Sequence, residues 1–233
     1  MSKPAISYRG HRFPAEIISH GVWLYYRFSL SFRDVEDLLA ERGVEVSYET
    51  IRQWSRKFGT QYARRLKRRE RPNDIWYLDE MFVRINGELH YLWRAVDQEG
   101  DTIDILVQKR RDARAAKRFF RKLLKRGEMP RELVTDKLGS YVVAHREMLR
   151  SVSHKTKRWS NNRAEVSHES VRKRERILRR FKSIGHAQLF VSVYSVVANL
   201  FRVGRQKVSA SNFRLLSARG ESPARGQFMD LGW

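Results

Sequence analysis

The sequence predicts an α/β domain, a mixed sheet flanked by helices, preceded by a small all-α domain. Three observations support this prediction. Residues 11–58 contain helical patterns only, residues 75–107 alternate apolar strand-like runs with turn signals, and residues 112–203 alternate helical patterns with short strands. With 233 residues, of which 41% are hydrophobic, the chain is long enough to bury a sizeable core.

The charge of the chain predicts a polyanionic partner. Lysine and arginine number 48 against 26 aspartates and glutamates, which gives a formal net charge of +22. Such an excess is typical of proteins that bind nucleic acid, and a merely basic protein is the alternative. The absence of cysteine excludes disulfides, cysteine-ligated zinc and a thiol nucleophile. The lack of cysteine fits a reducing cytosol, and with a nucleic-acid partner we expect a cytoplasmic, nucleoid-associated protein. The longest uncharged apolar stretch, 187–201, is shorter than the ~20 residues of a membrane span, so we expect no membrane association.

The first 60 residues predict three helices that form a helix-turn-helix domain. Ser31 and Asp34 form a capping box at the start of the second helix, and Gly43 ends it. Ser47 caps the third helix, whose apolar positions between 51 and 58 recur at helical spacing. Since a glycine turn joins these two helices in a very basic chain, we favour a helix-turn-helix over an ordinary three-helix unit. The residues predicted to contact DNA in the major groove are Arg52, Gln53, Arg56 and Lys57.

A run of cations separates this domain from the rest of the chain. Residues 64–71 include six arginines and lysines, and Pro72 follows them. Such a run is typical of a solvated linker and would also lie along a phosphate backbone. The sequence therefore predicts domains of 1–70 and 71–204. A loosely ordered tail, 205–233, rich in glycine, serine, proline and arginine, would follow.

The strand predicted at residues 75–85 is the centre of the second domain. Aromatic and β-branched residues dominate it, and apolar side chains on both faces predict a central strand that is covered on both sides. Asp79 and Glu80 lie in its middle, one on each face. A buried carboxylate without a partner costs roughly several kcal/mol, so these acids indicate a site.

The remaining elements predict the topology of the sheet. Asn86 and Gly87 predict a tight hairpin into a second strand, and a turn at 98–100 leads to a third strand at 102–107. Then follow a helix at 112–126, a strand ending at Asp136, a helix at 141–149, a strand at 152–156 and helices at 161–182 and 185–203. This order matches the ribonuclease-H-like fold, in which the first and fourth strands are neighbours and a later helix faces their ends.

Carboxylates lie at the three places that this fold brings together. Asp79 is in mid-strand, Asp136 ends the fourth strand, and Glu165 lies in the first turn of the basic helix. Converging carboxylates provide the hard oxygen ligands that Mg²⁺ or Mn²⁺ prefers, and two such ions ~4 Å apart serve an in-line displacement at phosphorus. Each acid also has a structural alternative: a hydrogen-bonded strand residue for Asp79, a turn for Asp136 and a capping box for Glu165.

Several motifs in the chain resemble the DDE transposases of insertion sequences. They lie at 76–83, 91–97, 110–119, 134–137, 161–165 and 181–183. The set is most similar to the short single-reading-frame group that forms cointegrates by replicative transposition, over residues 11–203. The resemblance implies that Asp79, Asp136 and Glu165 are the catalytic triad and hold the metal ions. It also implies that the helix-turn-helix binds the terminal inverted repeats of double-stranded DNA, and that a homodimer pairs the two ends with target DNA.

The resemblance also assigns a role to Arg172. This residue lies seven positions after Glu165, on the same face of a helix, and matches the family's glutamate-x₆-lysine or -arginine signature, so it would hold a phosphate of the DNA end. Glu169 is the alternative third ligand, but only Glu165 has this spacing to Arg172. Asp136 and Glu165 are 29 positions apart, fewer than is usual in this group. Candidates for auxiliary roles, with a structural role as the alternative, are His154 and His168.

The sequence therefore predicts a transposase. A metal-activated water would cut the phosphodiester at the end of the element, and the freed 3′-hydroxyl would attack target DNA. No covalent intermediate between protein and DNA is required. Two alternatives stay open, an integrase or nuclease with the same core and a DNA-binding regulator whose core is inactive.

Overall fold

The computed structural model of the chain describes residues 6–28, 30–66, 74–125, 127–156 and 181–201. By contacts the chain divides into two compact units, Met1–Arg68 with Ser192–Trp233, and Arg69–Val191. The predicted tail and nearly all of the predicted basic helix lie outside the described residues. The candidate site residues Glu165, His168, Glu169 and Arg172 also lie outside the described residues.

Three helices form the described N-terminal part of the chain, as predicted. They are α1 (Ala15–Arg27), α2 (Phe32–Ala40) and α3 (Tyr48–Leu66). The capping box of α2 is confirmed, because the Ser31 hydroxyl accepts from the Asp34 N–H at 3.2 Å and the Asp34 carboxylate accepts from the Ser31 N–H at 2.7 Å. Gly43 follows α2 with φ of +75°, a conformation that favours glycine.

The core of this unit lies between α1 and α3. Phe58 is fully buried, and the Tyr26 hydroxyl donates to the Ser55 carbonyl at 3.2 Å. A Cβ at Gly59 would lie 2.9 Å from the Tyr26 ring, so glycine is needed where these two helices touch. The apolar stripe of α3 continues to the buried Tyr62, and α3 runs on to Leu66. Arg64 and Arg65, which were predicted to lie in the linker, are therefore helical.

The second unit contains a five-stranded sheet in the order β3-β2-β1-β4-β5. β1 is antiparallel to β2 and parallel to β4, and β4 is parallel to β5. The prediction that the first and fourth strands are neighbours is confirmed, and the arrangement is ribonuclease-H-like. The strands are β1 (Ile75–Ile85), β2 (Glu88–Val96), β3 (Thr102–Gln108), β4 (Glu132–Val134) and β5 (Ser153–Lys155).

Three helices pack against this sheet. α4 (Ala113–Leu124) and α5 (Gly139–Met148) contribute Phe119 and Tyr141 to a buried cluster with Trp76 of β1 and Trp93 of β2. From α6 (Ile184–Phe201), the Gln188 side chain accepts from the Val107 N–H at 2.8 Å and donates to the Ile105 carbonyl at 3.1 Å. These bonds satisfy backbone groups of the edge strand β3. None of the helices in the described part of the chain combines the length and apolarity that a membrane span requires.

Two details of the predicted elements are wrong. Phe82 is 54% exposed, because the cluster under α4 and α5 includes Trp76 and Leu78 but not this later position of β1. The first part of the strand is buried at Trp76 and Leu78. Beyond Glu80 the burial passes to the opposite face, at Met81, Val83 and Ile85. Phe181, predicted to be helical, instead forms an isolated parallel bridge with Ile85, and its carbonyl accepts from the Asn86 N–H at 2.9 Å.

Candidate active site

The pairing of β1 with β4 places two of the predicted catalytic acids side by side. Tyr77 of β1 pairs with Val134 of β4 in a parallel ladder. Asp79 lies two positions beyond Tyr77, and Asp136 lies two positions beyond Val134. Both acids therefore lie toward the carboxyl end of the same strand pair, the edge at which open α/β sheets bind their ligands.

Three carboxylates meet at this edge. One oxygen each of Asp79, Glu80 and Asp136 lies within 4.8 Å of the others. The structure thus brings together two of the three predicted acids, while Glu165 lies outside the described residues. The sequence predicts Glu80 as an acid in mid-strand that indicates a site, but assigns it no catalytic or metal-binding role. Strand alternation predicts opposite faces for Asp79 and Glu80, and the longer glutamate side chain still reaches the cluster.

Glu80 is more buried than Asp136, because its side chain is only 3% exposed against 37% for that of Asp136. The Arg111 Nε–H donates to its Oε1 at 2.6 Å, and the Arg111 Nη2 group contacts the same oxygen. Its Oε2 is buried and makes no hydrogen bond of normal geometry within the described residues. The fully buried Tyr141 hydroxyl interacts with this carboxylate.

Burial and mutual repulsion dominate the electrostatics of the cluster. Burial, and then the nearby Asp136 charge, raises the pKa of Glu80 to about 7. Burial, followed by the Asp79 charge, also raises the pKa of Asp136. Burial together with the Glu80 charge raises the pKa of Tyr141 well above its usual value. A cation between these oxygens would relieve both the burial cost and the repulsion.

Asp136 also has the turn role that was its structural alternative. Its Oδ1 accepts from the Leu138 N–H at 3.0 Å, while its Oδ2 lies 3.8 Å from Arg111 Nη2. The turn therefore fixes one carboxylate oxygen and leaves the other directed to the cluster. The two roles are compatible.

His154 supports the strand that leads to Asp136 and is not a member of the acidic cluster. Its Nε2 lies 2.9 Å from the Thr135 hydroxyl, which donates to the Asp136 carbonyl at 2.8 Å. The His154 ring stacks on His145 with centroids 4.5 Å apart. Burial, and then the charge of His145, lowers the pKa of His154.

The predicted DNA-contacting face of α3 lies on the surface. Gln53, Arg56 and Lys57 are exposed, and Arg52 is partly exposed. The sequence did not predict that Glu49, on the same helix, would pair with two of these residues. The Arg52 Nε–H donates to Glu49 Oε2 at 2.7 Å and Nη2 to Oε1 at 2.6 Å, while Gln53 donates to Oε1 at 3.4 Å. Glu49 therefore holds both the Arg52 and the Gln53 side chain.

A family model described as a DDE domain, that of IS240-type transposases, matches residues 73–204. Two transposases of Staphylococcus aureus, for insertion sequence-like element IS431mec and for insertion sequence element IS257 in transposon Tn4003, are each 29% identical over 212 residues, which cover 88% of this chain and 93% of the relative. Among solved structures, the catalytic core domain of BIV integrase matches with a TM-score of 0.45 and 17% identity, over 64% of this chain and 98% of that chain.

Proposed function

Because the chain belongs to the DDE transposases of insertion sequences, whose domain model matches more than half of it, we propose that Asp79, Asp136 and Glu165 form the site at which it cuts and joins DNA strands. The observation that supports this most strongly is the approach of the Asp79 and Asp136 oxygens to within 4.8 Å on the central strand pair. Glu165 is proposed from the sequence alone, on its place in the predicted basic helix and its spacing to Arg172.

The residues of the cluster fit a divalent metal, which enzymes of this class use. The donors are all oxygens, which suits Mg²⁺ or Mn²⁺ and disfavours softer metals. We propose two such ions, held by Asp79, Asp136 and Glu165. When bound, they supply charge stabilisation for the attacking and leaving oxygens of the phosphodiester. The chain itself orients the Asp136 carboxylate through the Leu138 N–H, and Arg172 is proposed to hold a phosphate of the DNA end.

The proposed partner is double-stranded DNA, as element ends and as target. The formal net charge of +22 supports it, and the relatives are described as transposases for insertion sequences. We propose that α3 binds the terminal inverted repeat and that two copies of the chain pair the two ends as a homodimer. With DNA as its substrate, the protein would act at the nucleoid in the cytoplasm.

The test of this function is an assay for cutting and joining on short labelled duplexes. The duplexes carry the inverted repeats that flank the gene, and a scrambled duplex is the control. We expect a Mg²⁺-dependent nick at the 3′ end of the element and a joined product with target DNA. Nicking without joining would favour the nuclease alternative. Binding without nicking would favour the inactive regulator.

The face of α3 provides a separate prediction. Arg52→Ala and Gln53→Ala should each weaken binding to the terminal repeat by about 1–3 kcal/mol, because a side chain that bonds a base edge in two places contributes about that much discrimination. Gln61→Ala, on the same helix but two turns further on, is the matched control and should bind normally. Fluorescence anisotropy at one salt concentration measures the affinities. Equal losses on repeat and random DNA would make Arg52 and Gln53 phosphate contacts instead.

A further inference from the structure

Arg111 joins two of the three acids in the cluster. It lies between the end of β3 and Asp112, whose side chain caps α4 by accepting from the Ala115 N–H at 2.8 Å. Its guanidinium pairs with Glu80 Oε1 through Nε and Nη2, and Nη2 lies 3.8 Å from Asp136 Oδ2. The contact with Glu80 is direct and charge-assisted, whereas the contact with Asp136 is longer.

Arg111 also remains accessible at the edge of the cluster. Its side chain is 35% exposed, although the carboxylate that it pairs with is only 3% exposed. The guanidinium lies over the exposed ring of Phe82, 5.9 Å from its centroid. A guanidinium has five N–H donors in a rigid plane, so pairing through Nε and Nη2 leaves further donors for an anion.

Glu80 has two alternative roles, a third metal ligand or an anchor for Arg111. Its distance to Asp79 and Asp136 permits the first role. Its contacts favour the second, because two nitrogen groups of Arg111 converge on Oε1 and because Oε2 is buried. A buried carboxylate is stable when paired with a cation, and Arg111 is that cation.

Arg111 is placed where it can help DNA to approach the acidic cluster. A scissile phosphodiester must come close to carboxylates that carry the same sign of charge. An arginine at the edge of such a cluster offers the planar donors that match phosphate oxygens. The buried salt bridge would hold these donors in place before DNA arrives, which avoids the entropy cost of ordering a long side chain on binding.

We infer that Glu80 is a positioning residue and not a metal ligand, and that it holds Arg111 at the edge of the acidic cluster to bind a phosphodiester group of the DNA strand being cut. This inference rests on the proposed function of Asp79 and Asp136 as metal-binding residues. The ligand of Arg111 is thus a DNA phosphate next to the site of cutting, on the side of Phe82.

The test is a double-mutant cycle on the full-length chain with two measurements. The variants are Glu80→Gln, Arg111→Ala, Arg111→Lys and the double variant Glu80→Gln/Arg111→Ala, in which neither residue of the pair carries a charge. Binding of Mn²⁺ alone is followed by the electron paramagnetic resonance signal of the free ion. Nicking of the labelled end duplex in Mg²⁺ gives kcat and KM for DNA. Thermal melts confirm that each variant is folded, and the double variant covers the case in which Arg111→Ala is unstable.

We expect Glu80→Gln and Arg111→Ala to keep Mn²⁺ affinity within about threefold and to raise the KM for DNA by about tenfold or more, since they disturb substrate binding. Arg111→Lys should recover part of the loss, because lysine keeps the charge but not the planar donors. The double variant should be no worse than Arg111→Ala, because both substitutions remove the same contact.

Two results would overturn the inference. A loss of Mn²⁺ affinity in Glu80→Gln as large as that in Asp136→Asn would make Glu80 a ligand. Additive losses in the double variant would show that Glu80 and Arg111 act independently. The proposed function fails in a different way, namely if Asp79→Asn and Asp136→Asn retain both Mn²⁺ binding and nicking.

Discussion

Asp79→Asn and Asp136→Asn are each expected to reduce Mg²⁺-dependent nicking by about 10³-fold or more, equivalent to ~4 kcal/mol of activation free energy. Asparagine keeps the shape of aspartate and removes the charge that holds a metal ion. At position 136 it also keeps an oxygen that can accept from the Leu138 N–H, so the turn after β4 should persist. The loss of nicking would therefore reflect the chemistry of the site and not unfolding of the protein.

DNA affinity should change little in these two variants, by about threefold at most, because phosphate contacts outside the acidic cluster provide most of the binding free energy. Anisotropy in EDTA measures this affinity without cutting. Asp104→Asn is a matched control: Asp104 is an acid of β3 that accepts from the Ile105 N–H at 2.8 Å and pairs with Lys122 at 2.9 Å, outside the cluster. It should nick at close to the wild-type rate. An Asp79→Asn variant that does the same would refute the assignment.

Glu165→Gln is expected to abolish nicking, whereas Glu169→Gln should cost no more than about tenfold, or ~1.4 kcal/mol. Both residues lie outside the described part of the chain, so the argument comes from sequence. Glu165 falls in the first predicted turn of its helix, where the helix dipole favours an anion. Glu169 lies one turn later, within reach of Arg172 and Lys173 for a surface ion pair.

These two variants are controls for each other, because they make the same change on the same predicted helix face. The measurement is nicking of a labelled terminal-repeat duplex across a Mg²⁺ titration. An inactive Glu169→Gln beside an active Glu165→Gln would reverse the assignment. Glu165 would then have only the capping role that its position also suits.

Local chemistry made part of the fold predictable. Asn86 and Gly87 predicted a tight hairpin, and they adopt φ of 49° and 83°, values that few residue types tolerate. Ser31 predicted the start of α2 through its own hydrogen bond to the Asp34 N–H. The neighbourhood of β1 and β4, and with it the approach of Asp79 and Asp136, followed from the order of strands and helices.

The features that the sequence did not predict depend on contacts between residues that are far apart in the chain. The exposure of Phe82 depends on how much of β1 the cluster under α4 and α5 covers, which no local pattern encodes. Arg111 and Glu80 are 31 positions apart, and the motif that contained Arg111 indicated no partner for it. Glu80 itself was visible as a carboxylate in an apolar strand. Strand alternation, however, predicts that Glu80 lies on the opposite face from Asp79.

The most direct test of the account is whether Asp136 binds a metal ion. The chain contains no cysteine, so Asp136→Cys would introduce a single thiol at this position. A thiolate is a poor ligand for Mg²⁺ and a better one for softer metals. We predict that Asp136→Cys is inactive in Mg²⁺ and that Mn²⁺ restores its nicking by about tenfold or more relative to Asp136→Ala, a change of ~1.4 kcal/mol. If Mn²⁺ changes the rates of Asp136→Cys, Asp136→Ala and the wild type by the same factor, Asp136 is not a metal ligand.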